Sequence, residues 1–187
     1  MSVYDPRLDD FNVTCYLDDS ATDHKTVEHA VLGGVVFNRS GFAAFDEHWT
    51  DLMHRFRVPQ PFHMRDLTPD GRLSHITGCR RWCLVNEVTA AIKYFKIHTV
   101  AVSLNNREHE RHLSSRLQSA MRVYRLAFMA AALTVHQVAE EQRYPDAVAY
   151  VLDSGTKYRG QVLETHRHMQ QDTDRDGWHV LSLTLIH

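Results

Sequence analysis

The sequence has no long apolar run. The longest, over residues 126–135, is interrupted by Thr134 and followed by His136 and Gln137, well short of the roughly 18 to 20 apolar residues that a membrane span requires. A membrane-integral protein is therefore not expected. Charge of one sign is lacking too: 21 Lys and Arg stand against 23 Asp and Glu, for a formal charge of −2. Without a global basic field, nucleic acid would have to be held by a local patch. Cysteine is scarce and odd in number, at Cys15, Cys79 and Cys83, and the first ten residues are acidic, without the basic-then-apolar plan of a signal peptide. A reducing cytoplasm is the expected home. Repeats, linker-like stretches and low-complexity tracts are absent as well.

What is present suits one folded domain. A chain of 187 residues with 43% hydrophobic and 24% charged residues can close a single hydrophobic core. Histidine is abundant, at fourteen, but scattered. His48, His54 and His168 fall on segments that read as solvated helix faces, so most are expected to be ordinary surface residues.

The hydrophobic pattern predicts an α/β chain. Residues 11–17 (FNVTCYL) and 28–37 (EHAVLGGVVF) read as neighbouring antiparallel strands joined by a polar connection, being rich in β-branched and aromatic residues. Ser40 offers an N-cap, and Phe42, Phe45, Trp49, Leu52, Met53 and Phe56 recur at helical spacing, predicting a helix over 41–57 that Pro59 and Pro61 end. A second helix is predicted over 79–95 with Trp82, Val85, Val88, Ala91, Ile92 and Phe95 toward the core. Cys79 and Cys83 share a face of it. A zinc site would need further ligands at suitable spacing, so two buried free thiols are expected.

Residues 97–104 (IHTVAVSL) alternate as a strand, and Asn105-Asn106 caps a helix expected to run to about residue 143. Glu108, His109, Glu110 and His112 at its start read either as ligands from one helix end or as a solvated first turn whose acids face the positive end of the dipole. A nearly continuous apolar strand (147–152) ends at Asp153, a helix follows over about 158–171, and a last strand over 178–186. The DTDRDG segment before that last strand resembles the start of a calcium loop, but no glutamate follows at the required spacing, so an acidic turn over 172–177 is expected.

Asp18 and Asp153 each stand directly after a hydrophobic strand, and in open α/β sheets functional groups gather outside the carboxyl ends of strands. Two carboxylates there repel unless a hard cation lies between them, and oxygen ligands of this kind select Mg²⁺ or Mn²⁺. The alternative is that both are caps or turn formers.

The segments Tyr16-Leu17-Asp18-Asp19-Ser20, Val31-Leu32-Gly33-Gly34-Val35-Val36, Phe62-His63-Met64-Arg65-Asp66-Leu67 and Val151-Leu152-Asp153 together resemble the family known as the domain of unknown function numbered 3800, which is similar to ribonuclease H-like proteins. The resemblance spans residues 11 to about 186. It implies a mixed five-stranded sheet with helices on both faces and a helical insertion, about 41–95, between strands two and three. It further implies a divalent-metal-dependent nuclease acting on RNA or DNA, with Asp18 and Asp153 as metal ligands and His63 and Asp66 supporting the chemistry from the insertion. Lys157 and Arg159 read either as contacts to a substrate phosphate, with Ser20 beside the first aspartate, or as a solvated basic loop. The sequence departs from the family at Pro61, where an acidic residue is usual, and at Ala21, where glycine is. It also ends at His187, directly after the last strand and before the family's final helix with its further acid. Those departures leave open a catalytically inactive module that binds nucleic acid or protein. The uncovered last strand also offers a homodimer surface.

Overall fold

The computed structural model describes residues 11–19, 29–112, 122–144, 148–153, 159–176 and 182–186. In chain order the elements are β1 (Val13–Asp19), β2 (His29–Asn38), α1 (Arg39–Phe56), a 3-10 turn (Met64–Leu67), α2 (Gly78–Phe95), β3 (His98–Asn105), α3 (Asn106–His112), α4 (Val123–Glu141), β4 (Val148–Asp153), α5 (Arg159–Asp176) and β5 (Ser182–Ile186). The class is mixed α/β. The chain divides into two compact units, a helical one holding Ser40–Lys96 and a sheet unit holding the strands before and after it. Among the described residues no helix is long and apolar enough to cross a membrane.

The sheet runs in the order β3-β2-β1-β4-β5. β1 pairs antiparallel with β2 and β2 with β3, whereas β4 lies parallel to β1 and β5 parallel to β4. Alternation along β1 sets the two faces. Val13, Cys15 and Leu17 are buried in one core with Leu32 and Val36 of β2, Val100 of β3, and Val148, Tyr150 and Leu152 of β4. Against this face lies α4, whose buried stripe Tyr124, Ala127, Phe128, Ala131, Ala132, Val135, Val138 and Ala139 follows the three-and-four spacing of an amphipathic helix. Its alanines keep the helix close to the sheet. Phe128 meets the Tyr150 ring edge to face at 5.5 Å, and the buried Tyr150 hydroxyl donates to the Ala132 carbonyl oxygen at 3.1 Å. Each large apolar side chain buried here contributes about 1.5 to 3 kcal/mol. Gly34 is required by close approach: opposite Leu17 in the ladder, a Cβ there would stand 2.6 Å from both Leu17 Cδ2 and the Tyr16 carbonyl oxygen.

The helical unit has its own core of Leu52, Met53, Val58, Leu67, Leu73, Ile76, Leu84 and Val88, with Trp49, Phe56, Phe62, Val85 and Ile92 packed around it. α1 ends where Arg57 takes a left-handed φ of 55°. The Arg80 guanidinium then donates to the Phe56 carbonyl at 2.8 Å, satisfying an acceptor that a helix end leaves unpaired.

Several expectations are corrected. Trp82, assigned to the core, is 67% exposed, and Cys79 and Cys83 are exposed rather than buried. The core face of α2 is Leu84, Val88 and Ala91, and every residue from Gly78 to Cys83 is exposed. The helix expected to run on to about residue 143 is not continuous: α3 spans Asn106–His112, residues 113–121 lie outside the described residues, and α4 begins after Arg122, whose ψ of 147° is not helical. Its expected Asn105 cap is present, since Asn105 Oδ1 accepts from the Glu108 N–H at 3.0 Å. α5 continues to Asp176, through most of the segment expected as an acidic turn. Acidic residues weaken a helix end without stopping it.

Candidate metal centre at the ends of β1 and β4

β1 is the middle strand of the sheet, and its alternation sends Leu17 into the α4-side core and Asp18 to the opposite face, where Asp18 is exposed. β4 lies parallel beside it with Leu17 paired to Leu152. One step further along both strands, Asp18 and Asp153 occupy equivalent positions at the carboxyl ends of adjacent parallel strands. Strand spacing holds such backbone positions about 4.8 Å apart. Asp153 is also the position paired with Ile186 of β5.

On its β2 side Asp18 faces a position with no side chain. Across the antiparallel ladder its partner is Gly33, and beyond that Ala101 of β3. A Cβ built on Gly33 would meet nothing within 4 Å, and Ala101 is exposed. Directly opposed residues in an antiparallel pair lie on one face, so the flank of Asp18 has room for an ion or a phosphate group. The two adjacent glycines thus serve different ends: Gly34 admits the Leu17 side chain into the core, and Gly33 leaves the surface beside Asp18 clear. Glycine in a strand interior was the available signal for such close or open approach, although the residues alone did not say which glycine did which.

His63 and Asp66 belong to the helical unit, and the Asp66 carboxylate is bound by residues close to it in sequence. The carboxylate is 8% exposed. It accepts from Arg72 Nε at 3.1 Å and Arg72 Nη2 at 2.6 Å, and from the His63 backbone N–H at 3.0 Å. The Arg72 guanidinium, and next the His63 N–H, hold its carboxyl at about 2, below the ordinary carboxylate range. Arg72 also donates to the Pro61 carbonyl at 2.6 Å, and the Leu73 N–H to the Asp66 carbonyl at 2.8 Å. Asp66 is therefore accounted for by the loop it closes. Arg72, six residues downstream, was missed in the sequence, where nothing in its surroundings distinguishes it from other surface arginines.

Ser20 and Lys157 lie outside the described residues, Arg159 is described only as the first residue of α5, and Asp153 only through its backbone. At the start of α3, Glu108 pairs with Arg111 at 2.7 Å and His112 at 3.1 Å, all three exposed. Among the described residues no group of three or more His, Cys, Asp or Glu is placed to hold a metal ion. Two carboxylates at equivalent positions are a donor set suited to a hard cation such as Mg²⁺ or Mn²⁺. No protein-family model matches the sequence and no curated protein matches it either, so what this site can do follows from its own register and donor chemistry.

Proposed function

We propose that the chain is a divalent-metal-dependent, nuclease-like phosphodiester hydrolase of ribonuclease H-like topology, acting on RNA or DNA at the carboxyl ends of β1 and β4. One observation carries the reading: Asp18 and Asp153 stand one residue past the Leu17–Leu152 pair on adjacent parallel strands. Support also comes from the strand order, with β1, β2 and β3 antiparallel in sequence and β4 returning beside β1. The open flank at Gly33 gives a phosphodiester somewhere to lie.

Asp18 and Asp153 would hold the Mg²⁺ or Mn²⁺. When bound, such an ion orients and acidifies a water and stabilises the departing oxygen in phosphodiester hydrolysis. The chain's own part is positional. The central strands hold the two aspartates at neighbouring backbone positions, from which the mutual repulsion of their carboxylates would favour cation binding. The exposed face beside them admits substrate without rearrangement of the core. Lys157 and Arg159, near the start of α5, would contact the substrate backbone as positive charges.

The test is cleavage of labelled single- and double-stranded RNA and DNA with and without Mg²⁺ or Mn²⁺. Cleavage should require the metal. Asp18→Asn and Asp153→Asn should each lower it by at least about 100-fold, since even partners outside the direct ligand shell are worth ~10 to 100-fold. Metal-independent cleavage, or cleavage untouched by either substitution, overturns the proposal. A second reading, a catalytically inactive module that binds nucleic acid or protein, is favoured by the small donor set, as no group of three metal-capable residues forms among the described residues. Binding of nucleic acid that survives Asp18→Asn, with no cleavage by the parent chain, selects that reading.

A further inference from the structure

Cys79 and Cys83 lie four residues apart in the first turns of α2, and both are exposed. That spacing stacks them on one helix face with Cβ atoms about 5 to 6 Å apart. A disulfide needs its Cβ atoms within ~3.5 to 4.5 Å, closer than a regular helix brings them, so helical geometry keeps the two thiols as an open pair. Two thiolates joined linearly through one ion sit roughly 4.5 Å apart, taking ~2.3 Å for each metal–sulfur bond. Rotation of the two side chains reaches that separation with the helix intact.

The surroundings select the kind of ion. Zinc in structural sites takes four ligands, and among the described residues no group of three His, Cys, Asp or Glu is placed to hold a metal. A soft ion content with two thiolates is what remains, and thiolate ligands favour Cu(I). The backbone here is also secured, since Arg80 between the two cysteines is tied to the Phe56 carbonyl at 2.8 Å.

We propose that Cys79 and Cys83 form a two-coordinate thiolate site for a soft monovalent cation of the Cu(I) class, separate from the carboxylate site and independent of the hydrolase reading. On binding, each thiol releases its proton to solvent, two metal–sulfur bonds form, and no electron is transferred. The third thiol, Cys15, is fully buried, so the site belongs to this pair alone.

The experiment titrates the reduced full chain, under anaerobic conditions, with Cu(I) held by a chromophoric chelator, and follows loss of the chelator complex. The parent chain should withdraw one equivalent. Cys79→Ser and Cys83→Ser should each bind at least about 100-fold more weakly, because the second thiolate no longer acts as an intramolecular ligand. Both residues are exposed, so both variants should keep the parent's circular dichroism spectrum. Trp82, 67% exposed between the two cysteines, supplies a second readout: copper should quench tryptophan emission in the parent and quench it less in Trp82→Phe, which still binds. Failure of the parent to compete with the chelator, or a single-cysteine variant that binds as tightly as the parent, overturns the proposal. So does zinc binding of equal tightness at the same pair.

Discussion

Gly33 and Gly34 are neighbours in one strand, yet alanine should have opposite consequences at the two. At Gly34 the new Cβ stands 2.6 Å from the Tyr16 carbonyl oxygen and from Leu17 Cδ2, and 3.3 Å from Val100 Cγ1. The Leu17 methyl can rotate away, but the carbonyl belongs to the central strand and moves only with the ladder. Overpacking of this kind costs about 1 to 3 kcal/mol. At Gly33 nothing lies within 4 Å, and alanine removes backbone freedom from the unfolded chain, for a gain of about 0.4 to 1 kcal/mol. Gly34→Ala should therefore fall below Gly33→Ala by roughly 1.5 to 4 kcal/mol. Urea unfolding followed by circular dichroism reads this as a shift of the midpoint to lower urea for Gly34→Ala and a small shift upward for Gly33→Ala. If the two variants unfold together, or Gly33→Ala is the weaker, the register of β1 against β2 is wrong, and the open flank assigned to Asp18 falls with it. A larger side chain, Gly33→Val, should leave stability nearly unchanged while weakening Mn²⁺ binding by crowding the flank of Asp18.

Further outcomes follow from the partners already described. The Asp66 carboxyl is held down at about 2 against an ordinary value of 3.8, so its ion pair contributes fully above the ordinary value and is lost as pH falls through about 2. Asp66→Asn should lower the melting temperature at neutral pH and flatten the acid limb of stability between about pH 4 and 2, which urea midpoints measured across that window would reveal. An unchanged acid limb would mean that the Arg72 contact carries no stability. Thiol titration of the native chain should find Cys79 and Cys83 reacting promptly. Cys15 should react only on unfolding, since burial removes access and pushes its thiol up to about 12; three equally fast thiols would contradict the core. Truncation of Phe128 to alanine should cost about 3 to 5 kcal/mol, seen in the same urea midpoints, because it is fully buried against Tyr150.

Strands were the most legible part of the sequence. β1 and β4 announce themselves because one alternates and the other is apolar throughout, although Asp18 and Asp153, expected directly after the two strands, are the next-to-last residue of β1 and the last of β4. Register was not legible. That Leu17 faces Leu152 and Gly34 faces Leu17 depends on long-range pairing, which local pattern does not specify. α2 shows how periodicity misleads near a helix end. Trp82 fits the spacing of Val85 and Ile92, but residues 78–83 are all exposed, so the pattern there has nothing to pack against. Breaks at the far end of a charged segment are equally hard to see, and the helix expected after Asn105 is interrupted at Arg122. Asp66 reads as a candidate acid because a carboxylate looks the same whether it serves chemistry or an arginine. Only the three hydrogen bonds it accepts from Arg72 and the His63 N–H separate the cases.

The pairing of β2 with β3 is uninterrupted where the helical segment is spliced in. The chain leaves β2 at Asn38 and returns to the sheet at Ile97, whose N–H donates to the Val36 carbonyl at 2.9 Å, with His98 already paired to Val36. The two ends of the spliced segment are thus as near as adjacent antiparallel strands allow, a gap that a two-residue type I′ hairpin spans. To the sheet, 57 intervening residues (Ser40–Lys96) and an Asn-Gly turn are interchangeable ways of joining the same two strands.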